Sequence, residues 1–412
     1  MKPTSRTPAK KPPGAVTRRA MVKLEDRGVK AIRSGHPWVY RNAILNEDLV
    51  LKQGEVVPLH EIDGRFIATG IYAADGAIAF RIMSQEDNIT PDDSWLRTLA
   101  SRALARREIL RGEDTNAIRL VNGEADNLPG LTVTRFGDWL LAIQYLEGMD
   151  HLTEVVVEQL QKELGLKGAY KQNRLRPSGS PDMQRIPPSR RLIGEEAPLE
   201  IEVMEGGIRH LVDITAPMGV GFFPDYREGR KLVRQIAPGR RALNLFSYTG
   251  AFGLAALAGG ATEVVNVDSS QKANTKAFQN AQLNDFSADR FHTVTNDIFR
   301  ALNEMVVRGE RFDLAIVDPP SFSKGKGGTW SSSRDYTTLV KLLLRLMEPA
   351  SYILFTSNMA KLAIEEFERS IALGSGTRTI SIIQRVASPF DYPELPGFPE
   401  GSYLKSLLTR VE

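Results

Sequence analysis

The stretch best equipped for chemistry is "FDLAIVDPPSFSKGKGG", residues 312–328. An apolar run, Leu314-Ala315-Ile316-Val317, stops abruptly at Asp318-Pro319-Pro320, and Phe322, Lys324 and Lys326 follow on a glycine-rich loop. A run of this kind reads as a strand buried on both faces, and two prolines guarantee that it ends there. A carboxylate beside carbonyls fixed by prolines presents acceptors to an amino group or a ring nitrogen. An aromatic ring next to it can stack on a planar base, and loop lysines can grip flanking phosphates. Asp318, Pro319, Pro320 and Phe322 are therefore catalytic candidates, with Lys324 and Lys326 as candidate phosphate contacts.

Three earlier strand ends carry matching polar groups. "FSYTGAFG" places Gly250 and Gly253 where backbone could approach a ligand at a helix N-terminus. It is not the G-x-G-x-x-G turn, which argues against a pyrophosphate. Asp268 stands eighteen residues after Gly250, the spacing at which a carboxylate accepts from ribose hydroxyls. Asn296-Asp297 ends the next strand, where a carboxylate can take an adenine amino group. Each alone could be a cap or a turn residue. Four on successive strands point to a nucleoside-containing cofactor.

The elements needed to hold these groups follow from the pattern. "RRALNLF", "TEVVNVD", "FHTVTND", "FDLAIVD" and "SYILFTS" alternate with helical segments, including "SSQKANTKAFQNAQLND", whose Ser269 and Ser270 are cap candidates. That alternation predicts a parallel, doubly wound sheet, with ligands beyond the carboxyl ends of its strands. Upstream, residues 22–85 read as all-β, with hairpin turns at Asp63-Gly64 and Asp75-Gly76. In "IRSGHPWVYRNAI", Arg33, His36, Trp38 and Arg41 suggest an RNA-contacting surface as well as a barrel plug. An arginine-rich helix is expected over 90–112. The segment 117–205 alternates strand and helix, and 171–192 has six basic residues against one acid, a candidate phosphate-gripping loop.

Totals exclude other classes. The 412 residues carry a net charge of only +3, so no global field advertises a polyanion binder. Residues 1–20 hold six cations and no acid, and read as a disordered basic tail. No window resembles a signal peptide or a membrane span, so a cytoplasmic location is expected. The chain has no cysteine and five scattered histidines, which removes thiolate chemistry and gives no reason to expect a metal.

The pieces "HPWVY", "LVNGEADNLPGLTV", "GFFPDYREGR", "NLFSYTGAFG", "VDPPSF" and "FPEGSYLKSLL" together resemble the bacterial class I S-adenosylmethionine-dependent methyltransferases of large-subunit (23S) rRNA that carry an N-terminal PUA domain. The resemblance runs from about residue 22 to the C-terminus. It implies a basic tail (1–21), a PUA-like barrel (22–88), a central α/β linking domain (89–211) and a Rossmann-like catalytic domain (212–412). It implies S-adenosylmethionine as cofactor and RNA as partner, with a homodimer left open. It places Asn244, Phe246, Tyr248, Thr249, Gly250, Asp268, Asn296, Asp297 and Asp318 around the cofactor, and Phe223, Asp225 and Arg227 of "GFFPDYREGR" at its methionine end.

One departure matters. Relatives that methylate cytosine carbon 5 have a cysteine at the end of the fifth strand, where this chain reads "ILFTSNMAKL" with Ser357. Cytosine C5 is a poor nucleophile until a thiolate adds at C6, and serine, with a far higher pKa, is no substitute. "FTSN" is closer to the Asn-rich ending of the guanine-N7 enzymes, which makes Asn358 a candidate contact to the base. The expectation is methylation of a base nitrogen. The alternatives are a cytosine-5 enzyme with another nucleophile, and an idle RNA-binding assembly factor.

Overall fold

The computed structural model describes residues 21–46, 50–87, 89–110, 112–174, 188–217, 219–320, 324–325, 328–329 and 332–412. The basic tail and residues 175–187 of the basic loop lie outside them.

The N-terminal region contains β1 (Val22–Lys23), α1 (Asp26–Arg33), β2 (Trp38–Tyr40), β3 (Val56–His60), β4 (Phe66–Tyr72) and β5 (Ile78–Ser84), in the sheet order β1-β3-β4-β5-β2. An antiparallel bridge from Leu24 to Ile44 ties the two edges together, curling the sheet around Leu59, Ala68 and Phe80. Both expected hairpins form. Helix α1 is an addition to the all-β reading: eight residues, half of them charged, bury only Gly28, Val29 and Ile32, too short an apolar stripe to notice in the sequence.

The central region begins with α2 (Asp93–Ala105), capped by Asp92, whose side chain accepts from the Trp95 amide. Then come β6 (Ala117–Asn122), β7 (Leu131–Phe136), β8 (Trp139–Gln144), α3 (Asp150–Leu164), β9 (Gly168–Asn173) and β10 (Arg190–Gly194), ordered β10-β9-β8-β7-β6. Only β8 and β9, joined through α3, run parallel; the basic loop joins the antiparallel pair β9 and β10. Hairpin β11 (Ile201–Glu205) and β12 (Ile208–Val212) follows, with Ile201, Val203 and Val212 packed on Phe136 and Trp139 of the central sheet.

The C-terminal region alternates α4 (Arg227–Ile236), β13 (Arg241–Leu245), α5 (Ala251–Ala258), β14 (Glu263–Asp268), α6 (Gln271–Leu283), β15 (Phe291–Thr295), α7 (Ile298–Val307) and β16 (Phe312–Val317). After the short strands β17 (Lys324–Gly325) and β18 (Gly328–Thr329) come α8 (Ser332–Leu343), β19 (Met347–Ser357), α9 (Ile364–Ser375), β20 (Ile380–Arg385) and β21 (Lys405–Val411). The sheet order is β15-β14-β13-β16-β19-β21-β20. The first five strands are parallel, and the order reverses between β13 and β16, which puts the switch-point crevice at Leu245 and Val317. The expected all-parallel sheet is corrected at one edge: β21 returns antiparallel between β19 and β20. That pairing joins residues about fifty apart, which no local pattern announces.

Between β20 and β21, residues 386–404 form a strap across all three regions. Its Phe398 packs on Trp38 with ring centroids 4.6 Å apart. The Pro393 carbonyl accepts from Asn122 Nδ2 at 3.2 Å, and Asp391, with no exposed surface, pairs with Arg227 at 2.6 Å.

Candidate active site

The turn after β13 is where backbone and side chains are most constrained. Phe246 and Tyr248 adopt φ of +57° and +47°, conformations that cost bulky residues on the order of 1–3 kcal/mol each and cluster at functional turns. The turn is held by side chains: Tyr248 Oη donates to the Gly219 carbonyl at 2.7 Å, and Thr249 Oγ1 donates to Gly221 at 2.6 Å. Phe223, half exposed, lies 5.5 Å from the Tyr248 ring. Segment 219–227 is thereby fastened over the end of β13, which brings Phe223, Tyr248, Thr249 and Asp225 into one place.

The glycines behave differently from expectation. Gly250 has φ +80°, and a Cβ there would meet Ala277 Cβ and the Phe291 ring at 3.0 Å. A Cβ on Gly253 would sit 2.3 Å from Asn266 Oδ1. Both positions are glycine so that α5 can settle on the sheet and on α6; closeness to a ligand is not what demands it. Asn244 is buried in β13 and donates to Asn266 Oδ1 at 2.9 Å, part of a polar thread that continues to the His292 carbonyl, while its own Oδ1 is left without a partner.

Asp268, at the end of β14, is held as a receptor. Its Oδ2 accepts from the Tyr248 amide at 2.9 Å and its Oδ1 from the Ser270 amide at 2.8 Å. Each oxygen keeps a lone pair, and two amides prevent the carboxylate from turning. Asn274 stiffens the same corner, donating to the Asp268 carbonyl and to Thr295 Oγ1. Asn296 and Asp297 end β15 as expected, but Asp297 is also the cap of α7, with Oδ1 accepting from the Arg300 amide at 3.1 Å. Asp268→Ala is expected to weaken cofactor binding by roughly 2–3 kcal/mol, the scale of a lost charged acceptor. Calorimetry showing unchanged affinity would remove Asp268 from the site.

Asp318 ends β16 next to β19. Thr356 Oγ1 donates to its Oδ1, and the buried Tyr226 hydroxyl lies beside both groups without a hydrogen bond of normal geometry. Burial pushes the Asp318 carboxyl up to about 6, against the favourable hydroxyl contacts, and the neighbouring Asp225 charge adds to the rise. Ser357 is buried beside it at the strand end, and Asn358 follows directly. Phe322 and Lys326 lie outside the described residues, as does the side chain of Lys324. Thr356, Tyr226 and Tyr403 are site residues that the motifs contained without marking.

Arg227 is a correction. It is 1% exposed, and its guanidinium is spent on Asp391 at 2.6 and 3.2 Å, on the Ala117 carbonyl at 2.8 Å and on Glu205 at 3.3 Å. It fastens the strap and the central sheet to α4, and only its Nε, buried near Glu205, is without a hydrogen bond. Asp225 does face the site: Oδ2 accepts from Tyr403 Oη at 2.7 Å, and Oδ1 is buried without a partner.

The N-terminal cluster also reads differently in place. Trp38 Nε1 donates to Glu124 Oε1 at 2.8 Å, Arg81 stacks over its ring at 5.0 Å, and Phe398 covers another side. His36 packs on the same Phe398 and lies 3.4 Å from Glu400. Arg41 donates to the Ala73 and Gly76 carbonyls at 2.6 and 3.1 Å. These three join domains and brace a turn, so the base-stacking platform expected of them is already filled by the protein. Arg33 remains largely exposed while bonded to Glu61.

Comparison with known proteins decides the family. Residues 183–410 match the S-adenosylmethionine-dependent methyltransferase family, and residues 22–85 match the PUA-like domain. The chain belongs to this methyltransferase family. Its relatives include proteins called ribosomal RNA large subunit methyltransferase I: that of Serratia proteamaculans is 30% identical over 93% of this chain and 97% of the relative. The Yersinia pestis protein of the same name is 31% identical with the same coverage. The crystal structure of SMU.776 complexed with SAH shares the fold, with a TM-score of 0.84 at 24% identity over 95% of this chain and 99% of that one. A structure from Streptococcus mutans has a TM-score of 0.82 at 23% identity and the same coverage. S-adenosylmethionine is the cofactor, and the site fits it: a fixed carboxylate in Asp268, and orphaned buried polar atoms on Asp225, Tyr226 and Ser247. No helix among the described residues is long and apolar enough to cross a membrane, and none of their His, Asp and Glu side chains group to hold a metal.

Proposed function

We propose that this chain methylates a base of large-subunit ribosomal RNA, in the cytoplasm, at a nitrogen atom and without a covalent enzyme–base intermediate. The carrying observation is the pairing of a cysteine-free chain with the Asp318-Pro319-Pro320 strand end, where Ser357 stands in the thiol's place. The relatives' names and the PUA-like domain support RNA as the substrate. Bound S-adenosylmethionine supplies a methyl group on a sulfonium sulfur, an electrophile that an aligned nitrogen lone pair can attack. The chain's own work is alignment and proton handling. Asp318 and the carbonyls before Pro319 and Pro320 accept hydrogen bonds from the base and hold its nitrogen in line. Asp318 also takes a proton when the attacking nitrogen carries one. Asn358 meets the base from the adjoining strand, and Phe322 stacks on it. Proximity of this kind supplies most of the rate, and no strong base is needed. The base must leave its stack to enter.

Nucleoside mass spectrometry of ribosomal RNA from cells with and without the protein tests this. One N-methylated purine, a guanine above all, is expected to disappear with the protein. Loss of 5-methylcytidine instead would restore the cytosine-5 reading, and an unchanged profile would favour the idle assembly factor.

A further inference from the structure

Both Nη groups of Arg227 are committed to Asp391 and the Ala117 carbonyl, so the methionine end of the cofactor calls for a second cation. We infer that Arg119, on β6 of the central domain, fills that role with Asp225, so that the amino-acid end of S-adenosylmethionine is held between two domains. Arg119 on β6 and Asp225 in the turn before α4 sit on elements that touch, and no ion pair joins them. Asp225 Oδ2 accepts from the Tyr403 hydroxyl, and its Oδ1 is buried and unpartnered among the described residues. Arg119 lies over the Tyr392 ring at 4.8 Å, its Nη2 reaches the Tyr392 hydroxyl at 3.5 Å, and its Nε is buried and unpartnered. Neither makes a salt bridge to another described residue, yet the Arg119 charge acts on the ionisation of Asp225, and Tyr403 neighbours both.

A carboxylate with one oxygen unpartnered, near a guanidinium with its Nε unpartnered, suits a ligand carrying both an ammonium and a carboxylate. The α-amino-acid end of the cofactor is such a group. A phosphate would satisfy Arg119 and be repelled by Asp225. The placement is also deliberate at the backbone: the Arg119 amide donates to Asp391 Oδ2 at 2.8 Å, so the carboxylate that consumes Arg227 also positions Arg119. Arg107, donating to the Asp391 carbonyl at 3.0 Å and to both oxygens of Asp126, fixes the same corner from the turn after α2. The strap thus ties together the central domain's β6, the segment before α4 and its own Tyr392 and Tyr403.

This inference rests on the strand-end site being the cofactor site, and the test separates the two. Full-length wild type, Arg119→Met, Arg119→Lys and Asp225→Asn are titrated calorimetrically with S-adenosylhomocysteine and with 5′-methylthioadenosine, which has the nucleoside but no amino-acid end. Arg119→Met and Asp225→Asn are expected to weaken S-adenosylhomocysteine about 30-fold, the scale of one charged hydrogen bond, and to leave methylthioadenosine within about twofold. Arg119→Lys should recover part of the loss. Equal losses for both ligands, or none for either, would overturn the role of Arg119, and a thermal melt identifies a variant that fails to fold. If wild type binds neither ligand, the cofactor site itself is misplaced.

Discussion

Asp318→Ala should lower turnover roughly 10²–10⁴-fold, the usual range for a positioned proton acceptor, while cofactor affinity changes by no more than about threefold. The separation follows from the geometry. The ribose receptor is Asp268 on β14, two strands from β16, and its carboxylate is oriented by backbone amides that Asp318 does not touch. Asp318 is held by Thr356 in a buried corner, so removing it deletes an acceptor without unlatching the turn after β13. Its ionisation gives the same prediction a pH signature. Burial raises the carboxyl to about 6, so the ionised, accepting form is lost as pH falls through that value. The rate should therefore decline on the acid side with a midpoint near there, and Asp318→Asn should lack that limb. Equal loss of binding and turnover would make Asp318 a cofactor ligand.

The second large effect is structural. Asp391 has no exposed surface and is bonded to both Arg227 nitrogens and to the Arg119 amide. Asp391→Ala leaves a guanidinium that is 1% exposed with the Ala117 carbonyl and a Glu205 already paired to Arg230, and breaking a buried pair in this way costs about 3–5 kcal/mol. Denaturant unfolding of the variant should show a loss of that size and an earlier release of the strap. The double variant Arg227→Met/Asp391→Leu should recover much of it, because apolar replacement removes both desolvation costs. A change below about 1 kcal/mol in the single variant would mean that the strap is held by its aromatic and backbone contacts instead.

The sequence was most informative where function sits on a strand end. β13, β14, β16 and β19 stop within a residue or two of where the apolar runs stop, because a run buried on both faces has no other way to end than in polar or proline residues. It was least informative about partners. Nothing local says that Arg227 will meet Asp391, 164 residues away, or that Trp38 will meet Phe398. An arginine in a motif and an aromatic among cations look the same whether they face a ligand or the protein. Glycine has the same ambiguity: Gly250 and Gly253 are needed, but by Ala277, Phe291 and Asn266. Tyr403 and Thr356 stood inside "FPEGSYLKSLL" and "ILFTSNMAKL", yet only the fold brings them to Asp225 and Asp318.

The claim that matters most is methyl transfer to nitrogen without a thiol, and covalent trapping addresses it directly. A cytosine-5 enzyme bonds to C6 and must then remove the proton at C5, so 5-fluorocytosine in its substrate leaves protein and RNA joined. This chain has no cysteine to make that bond. Large-subunit RNA transcribed with 5-fluorocytidine and incubated with the protein and S-adenosylmethionine should give no adduct that survives denaturation, while the same reaction yields an N-methylated purine in the nucleoside digest. A protein–RNA band stable to denaturation, or 5-methylcytidine from unfluorinated RNA, would contradict the account.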